Sequence, residues 1–156
     1  MSKSLKRVRA ALEVAGLTPD IRETALARTA ADAAHALGCE VDQIAKSIVF
    51  RGEESGRVIL FLTAGGNRID PERAAKLAGE PLGKADAALI REQTGFAIGG
   101  VAPLGHLNPI RAFIDPRLSD FEVIWAAAGT PHHVFPSDAP TLIRLTGAEP
   151  GAFTET

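Results

Sequence analysis

Several classes of chemistry lack the residues they need in this sequence. Cysteine occurs once, at Cys39, so no disulfide framework and no cysteine-based zinc site can form within one chain. A lone cysteine of this kind reads as a small apolar residue packed in the interior. Tyrosine is absent and tryptophan occurs once, so only phenylalanine and that Trp could stack on a base. No stretch approaches the roughly 18 apolar residues that span a bilayer, and the longest apolar runs are strand-sized. The opening segment, Met1 to Arg7, is basic but lacks the apolar centre of a signal peptide, so a cytoplasmic location and no membrane partner are expected. Positive charge is also short. At a formal net charge of −2, the chain is unsuited to coating long stretches of duplex, which requires many neutralised phosphates. General DNA binding is therefore not expected, and any nucleic-acid contact should be local, a short end gripped at one site. No Gly-x-Ser-x-Gly elbow, HExxH, CxxC, GxGxxG or Walker A sequence occurs, which leaves serine-hydrolase and metal-assisted chemistry without support.

What is present describes one ordinary globular domain over residues 1–156. At this length roughly two-thirds of the unfolded surface is buried on folding, enough to hold a pocket without metals or disulfides. Leu5, Val8, Leu12 and Ala15 recur at helical spacing, with Gly16 as a stop. A second helix is predicted from Ala30 to Leu37, capped by Thr29 and closed by Gly38. Ser47–Phe50 and Val58–Leu62 read as a hairpin across the turn Gly52–Gly56. Asp70-Pro71-Glu72 starts a helix ending at Gly79, and another covers Ala85 to Gln93 before Gly95. Strands follow at Phe96–Ile98, Arg111–Ile114 and Glu122–Ala127. A last helix over Ala139–Leu145, introduced by Ser137, precedes a tail expected to fray from Pro150. The order is not a clean βαβ alternation, so the fold class is mixed α/β (α+β).

Three constellations could carry chemistry. Gly99-Gly100-Val101-Ala102-Pro103 combines two glycines with a proline that fixes the exit. It is either a tight structural turn or a loop whose N–H groups hold a carbonyl oxygen or phosphate. Lys46 shares a strand face with Ile44, Ile48 and Phe50, where it either snorkels to water or points into a pocket as a phosphate ligand or charge stabiliser. Gly129-Thr130-Pro131-His132-His133 follows an apolar strand, where ligand contacts often gather. Adjacent histidines diverge, and His35 and His106 have no ligand spacing to them, so neither a metal nor a cofactor is expected. Asp70, Glu92 and Asp115 sit where caps or solvated surface account for them.

In their order and context, these segments resemble the YbaK/prolyl-tRNA synthetase-associated editing-domain family. Leu37 to Phe50 is similar to the family's lysine segment, and Gln93 to Gly105 to its glycine loop, with a GxxxP pattern from Gly99 to Pro103. Ile69-Asp70 followed by Ala75-Lys76-Leu77-Ala78-Gly79 resembles the helix between them. The likeness runs from about Leu5 to Gly147. It implies a barrel-like mixed sheet surrounded by helices. It also implies a free-standing enzyme that hydrolyses mischarged aminoacyl-tRNA in trans, with the tRNA acceptor end as partner and prolyl-tRNA synthetase as a further one. By the same resemblance Lys46 binds the terminal phosphate and Gly100 belongs to the catalytic loop. Gly99, Val101, Ala102 and Pro103 surround the aminoacyl carbonyl, and Gly129, Thr130 and His132 line the amino-acid pocket. A water or ribose hydroxyl is the implied attacking group. Thr130-Pro131-His132 replaces the bulky basic pair of some members, which turns the substrate away from cysteine. It favours tRNA for proline carrying alanine or 2-aminobutyrate. The alternative is a non-catalytic module that binds a tRNA acceptor end or a nucleotide.

Overall fold

Helix boundaries in the computed structural model, which describes residues 2–25 and 27–155, are set by caps written in the sequence. Helix α1 spans Lys3–Val14 and turns Leu5, Val8 and Leu12 to the interior. Its first free N–H groups are met by the Ser2 hydroxyl, which accepts from Leu5 N–H at 3.1 Å. Helix α2 (Ala30–Leu37) is capped by Thr29 and ends on Gly38 in the left-handed region, as its sequence predicts. Helix α3 (Pro71–Ala78) begins at Asp70, whose carboxylate accepts from Glu72 and Arg73 N–H groups. Helix α4 (Ala87–Thr94) starts two residues later than expected because Asp86 supplies its cap. Helix α5 (Ala139–Thr146) is capped by Asp138 rather than Ser137, the Asp carboxylate accepting from Thr141 N–H at 2.8 Å.

Among the described residues eight strands form one mixed sheet: β1 (Arg22–Glu23), β2 (Ile44–Gly52), β3 (Val58–Ala64), β4 (Leu82–Lys84), β5 (Arg111–Ile114), β6 (Ile124–Ala127), β7 (His133–Ser137) and β8 (Glu149–Pro150). Their order is β1-β7-β6-β2-β3-β5-β8, with β4 attached to β2. β2 and β3 form the expected hairpin, with Lys46 opposite Thr63. Parallel pairings then join β2 to β6 and β3 to β5. The expected barrel-like closure is not seen: among the described residues the pairing path ends at β1 and at β8.

Side-chain alternation divides the core across the sheet. On one face Ala45, Leu60, Leu62, Ile114, Ile124 and Phe135 pack with α1, α4 and α5. On the other, Ile59, Phe61 and Phe113 pack with α3 and Phe153, while Ile44 and Trp125 pack with α2. Cys39 lies half-buried against that last cluster, close to its expected role.

Two expectations are overturned. Phe96–Ile98 is not a strand, because its backbone groups are used locally. Phe96 N–H donates to the Thr94 hydroxyl, and Ala97 carbonyl accepts from Gly100 N–H at 3.0 Å, making a turn instead of a ladder. The tail from Pro150 is not frayed through its described residues, to Glu155; Thr156 lies outside them. β8 pairs with β5, Phe153 carbonyl accepts from Asp70 N–H at 2.8 Å, and the Phe153 ring is fully buried against Phe61 at 5.0 Å. Strands β1, β4, β7 and β8 were not anticipated, since each is short or broken by Pro or Gly. Pro136 is tolerated because β1 covers only His133 and Val134 of β7, leaving no ladder bond to lose there.

The docked tail predicts that Phe153→Ala lowers unfolding stability by about 3–5 kcal/mol in chemical denaturation. A frayed tail would show almost no change.

Candidate active site

The alternation of β2 puts Ile44, Lys46, Ile48 and Phe50 on one face. Ile44 belongs to the cluster under α2, and Ile48 and Phe50 to the cluster under α3. Lys46 belongs to neither cluster and lies half-buried between them. A cleft of about 590 Å³ occupies this position, lined by Lys46, Gly99, Val101, Thr130 and His133, with Trp125 and Val134 among its apolar walls.

The ammonium of Lys46 does not simply snorkel outward. It donates to the Asn67 carbonyl at 2.7 Å. Burial holds its pKa below that of an ordinary lysine, and Arg68 pushes in the same direction; Asp115 and Asp42 act against them. The loop carrying Asn67 follows β3 directly. Its Gly66 N–H donates to Asp42 Oδ1 at 2.8 Å, and the Asn67 amide donates to Asp115 Oδ2 at 2.9 Å. Asp115, expected to be a cap or a solvated residue, does cap the following 3₁₀ turn but is only 3% exposed. Asp42, Asn67 and Asp115 do not line the cleft, but they hold the loop that anchors Lys46, a set of partners that sequence reasoning missed. A signal was available: Gly65-Gly66 after a buried strand is the same kind of mark as Gly99-Gly100.

The glycine loop begins where Gly95 ends α4 and is tied down at both ends by α1. Arg7 donates to the Gly95 carbonyl and, through Nε, to the Gly105 carbonyl at 3.3 Å, while its guanidinium lies 4.7 Å from the centre of the Phe96 ring. Gly99 has φ of 89° and lines the cleft with Val101. Gly100, Ala102 and Pro103 are buried and do not line it. Gly100 is needed for a different reason: a Cβ there would lie 2.9 Å from Thr130 Cα, so the loop rests backbone to backbone on the Gly129–Thr130 turn. Its N–H is used in the turn to Ala97. The N–H groups of Gly99, Val101 and Ala102, by contrast, donate to no described residue. The Ala102 carbonyl is 2.7 Å from His106 Nε2. Burial pushes the His106 pKa down, which favours a neutral ring, and an acceptor at Nε2 places the proton on that nitrogen.

The Gly129–His133 turn divides differently from expectation. Gly129 is buried and holds φ of 100° close to Ser4, and Thr130 lines the cleft. His132 is exposed and is not part of the lining; His133 takes that place, as the first residue of β7. Thr130 Oγ1 accepts from His132 N–H at 3.1 Å and lies 2.6 Å from His133 Nδ1, a hydroxyl–imidazole pair that separate sequence positions did not suggest. No group of three or more His, Cys, Asp or Glu among the described residues could hold a metal, and no helix among them is long and apolar enough to cross a membrane.

Comparison with known proteins matches residues 24–145 to the aminoacyl-tRNA editing domain. The chain belongs to that family. The editing domain is 44% identical to a crystal structure described as a candidate trans-editing enzyme for prolyl-tRNA synthetase, covering 100% of this chain and 99% of that one, with a TM-score of 0.92. A structure from work on computational epitope grafting onto scaffold proteins is 42% identical over the full length of both chains, also at a TM-score of 0.92. The uncharacterized protein YwhH of Bacillus subtilis (strain 168) is 34% identical over 102 residues, which span 65% of this chain and 64% of that protein. In this editing domain, Lys46 and the glycine loop, separate in sequence, meet at one cleft.

The lysine also yields a stability prediction. Because its folded pKa is lowered, its ammonium is disfavoured by folding. That penalty is fully present below the folded pKa and is relieved as pH rises toward the unfolded value. Lys46→Met should therefore leave the thermal midpoint at neutral pH equal to or above that of the wild type; a clear fall would contradict this.

Proposed function

We propose that this chain is a trans-acting aminoacyl-tRNA deacylase, a single editing domain that releases a small wrong amino acid from tRNA for proline. The observation that carries this reading is the anchored Lys46 ammonium in the same cleft as the glycine loop, within a member of the aminoacyl-tRNA editing domain family. The similarity to a candidate trans-editing enzyme for prolyl-tRNA synthetase supports the choice of tRNA and of that synthetase as a partner. The apolar cleft walls at Val101, Trp125 and Val134 support alanine or 2-aminobutyrate as the amino acid removed.

In this reading Lys46 binds the terminal phosphate of the acceptor end as a compact point charge. The N–H groups of Gly99 and Val101, which donate to no described residue, receive the aminoacyl carbonyl oxygen as it gains negative charge, with Ala102 buried behind them. A water or neighbouring ribose hydroxyl attacks the carbonyl carbon and the ester C–O bond breaks. The ribose oxygen recovers the proton that the attacking group gives up. In the water route the free amino acid leaves directly, whereas attack by the ribose hydroxyl moves the acyl group to that oxygen and a water then cleaves the new ester. An aminoacyl ester is already activated, so positioning and carbonyl polarisation supply most of what is required. Gly129 and Thr130 shape the amino-acid end, Pro103 fixes the loop exit and His132 stands at the rim.

The test is a deacylation panel. Several misacylated tRNAs are offered to the wild type and to Lys46→Ala, with a loss of about a hundredfold or more expected in the variant. Near-wild-type turnover by Lys46→Ala would remove the lysine from the mechanism. Tight binding without release from any tRNA would identify a non-catalytic acceptor-end module. Loss of the ammonium should also produce an alkaline fall in rate, after correction for uncatalysed hydrolysis, at a pH below that of an ordinary lysine.

A further inference from the structure

We propose that Asp115 is a positioning residue for Lys46, acting through Asn67 and the loop that follows β3. The proposal rests on the reading of Lys46 as the working cation of the cleft. Its basis is the number of bonds converging on one buried carboxylate. Capping the 3₁₀ turn uses only Oδ1, which accepts from Arg117 N–H at 2.9 Å. Oδ2 is committed elsewhere, to Ala64 N–H at 3.1 Å and to the Asn67 side-chain amide at 2.9 Å. Burying a carboxylate is unfavourable unless its partners are supplied. The caps at Asp70, Asp86 and Asp138 do the same local work without being buried. Asp115 alone among these four is enclosed, at 3% exposure.

What the enclosure achieves is control of the Asn67 carbonyl, the acceptor of the Lys46 ammonium at 2.7 Å. The loop is gripped on a second side by Asp42, which takes Gly66 N–H on Oδ1 and Arg117 Nε on Oδ2 at 3.0 Å. Arg117 thereby links the two acids, with its backbone N–H on Asp115 and its guanidinium on Asp42. The charges acting on Lys46 are Arg68, which repels the ammonium, and Asp42 and Asp115, which favour it. Arg28 and His133 line other parts of the same cleft. Removing the Asp115 charge should therefore loosen the acceptor and weaken the electrostatic support of the ammonium together.

The experiment reads Lys46 directly, by NMR titration of carbon-13-labelled lysine side chains in the wild type, Asp115→Asn, Asn67→Ala and Asp138→Ala. The titration midpoint of Lys46 should move to lower pH in the first two variants. It should stay in place in Asp138→Ala, which loses a cap of ordinary kind. Where deacylation is followed as well, kcat should fall on the order of tenfold in Asp115→Asn, with KM changing less and the alkaline limb moving with the titration. If Asp115→Asn does not fold, Asn67→Ala carries the same test, since it keeps the main chain and removes only the tie to the carboxylate. A Lys46 midpoint unchanged in the folded variants overturns the proposal, as does an equal shift in Asp138→Ala. The titration needs no tRNA. A wild type without deacylase activity would therefore count against the function and leave the positioning role separately tested.

Discussion

β2 makes three of the pairings in the sheet, and much of the rest depends on them. It runs antiparallel to β3 from Ala45 to Arg51, antiparallel to β4 at its end and parallel to β6 at its start. Because side chains on a strand alternate, that one register decides which residues enter the main core and which face α2 and α3. A slip by one position would exchange Lys46 with Ala45 or Ser47, putting a charge into the core beneath α1. Seven consecutive residue pairs with β3, which is buried at every position, hold this register. Fold and site are thus specified by the same ladder.

The cleft exists because two hydrophobic clusters on one sheet face stop short of each other. Ile44 and Trp125 belong under α2, Phe61 and Phe113 under α3, and the interval is left to a lysine. Beside the apolar side chains that line the cleft, parts of its walls are built by close backbone approach. Gly100 rests on Thr130, Gly129 rests on Ser4, and Gly65 rests on the Val41 carbonyl. Walls made this way are stiff, because neither a rotamer change nor a small shift can relieve them. Stiffness suits a mechanism based on oriented N–H groups, whose benefit depends on their being in place before the reaction begins.

Much of this was legible in the sequence. Thr29, Asp70, Gly38, Gly79 and Gly95 mark helix ends by chemistry that acts within a few residues, and they were read correctly. The hairpin from β2 to β3 was legible because both strands are long and flank a polar turn. Lys46, Gly99, Val101 and Thr130 stand out in the sequence, and the fold places all four on the lining of one cleft. What could not be read depends on partners far along the chain. Phe153 looks like an unremarkable tail residue until Phe61 and Phe113 are placed beneath it. Phe96–Ile98 has the composition of a strand, yet Thr94 and Gly100 take its hydrogen bonds first. The exchange of His132 for His133 turns on which one starts a two-sided strand, and β1, the partner that decides it, is two residues long. Asp115 was read as an ordinary turn former, because nothing local reveals that Ala64 and Asn67 will surround it.

Arg7 bears on how portable such a domain is. The family match starts at residue 24, whereas the residue that fastens both ends of the glycine loop lies in α1, before it. The loop and its fastener are therefore inherited together only if the leading helix travels with the rest. A fusion or transplant limited to the matched stretch would carry every residue of the cleft. It would still leave the Gly95 and Gly105 carbonyls without their common guanidinium and the Phe96 ring without the cation that covers it.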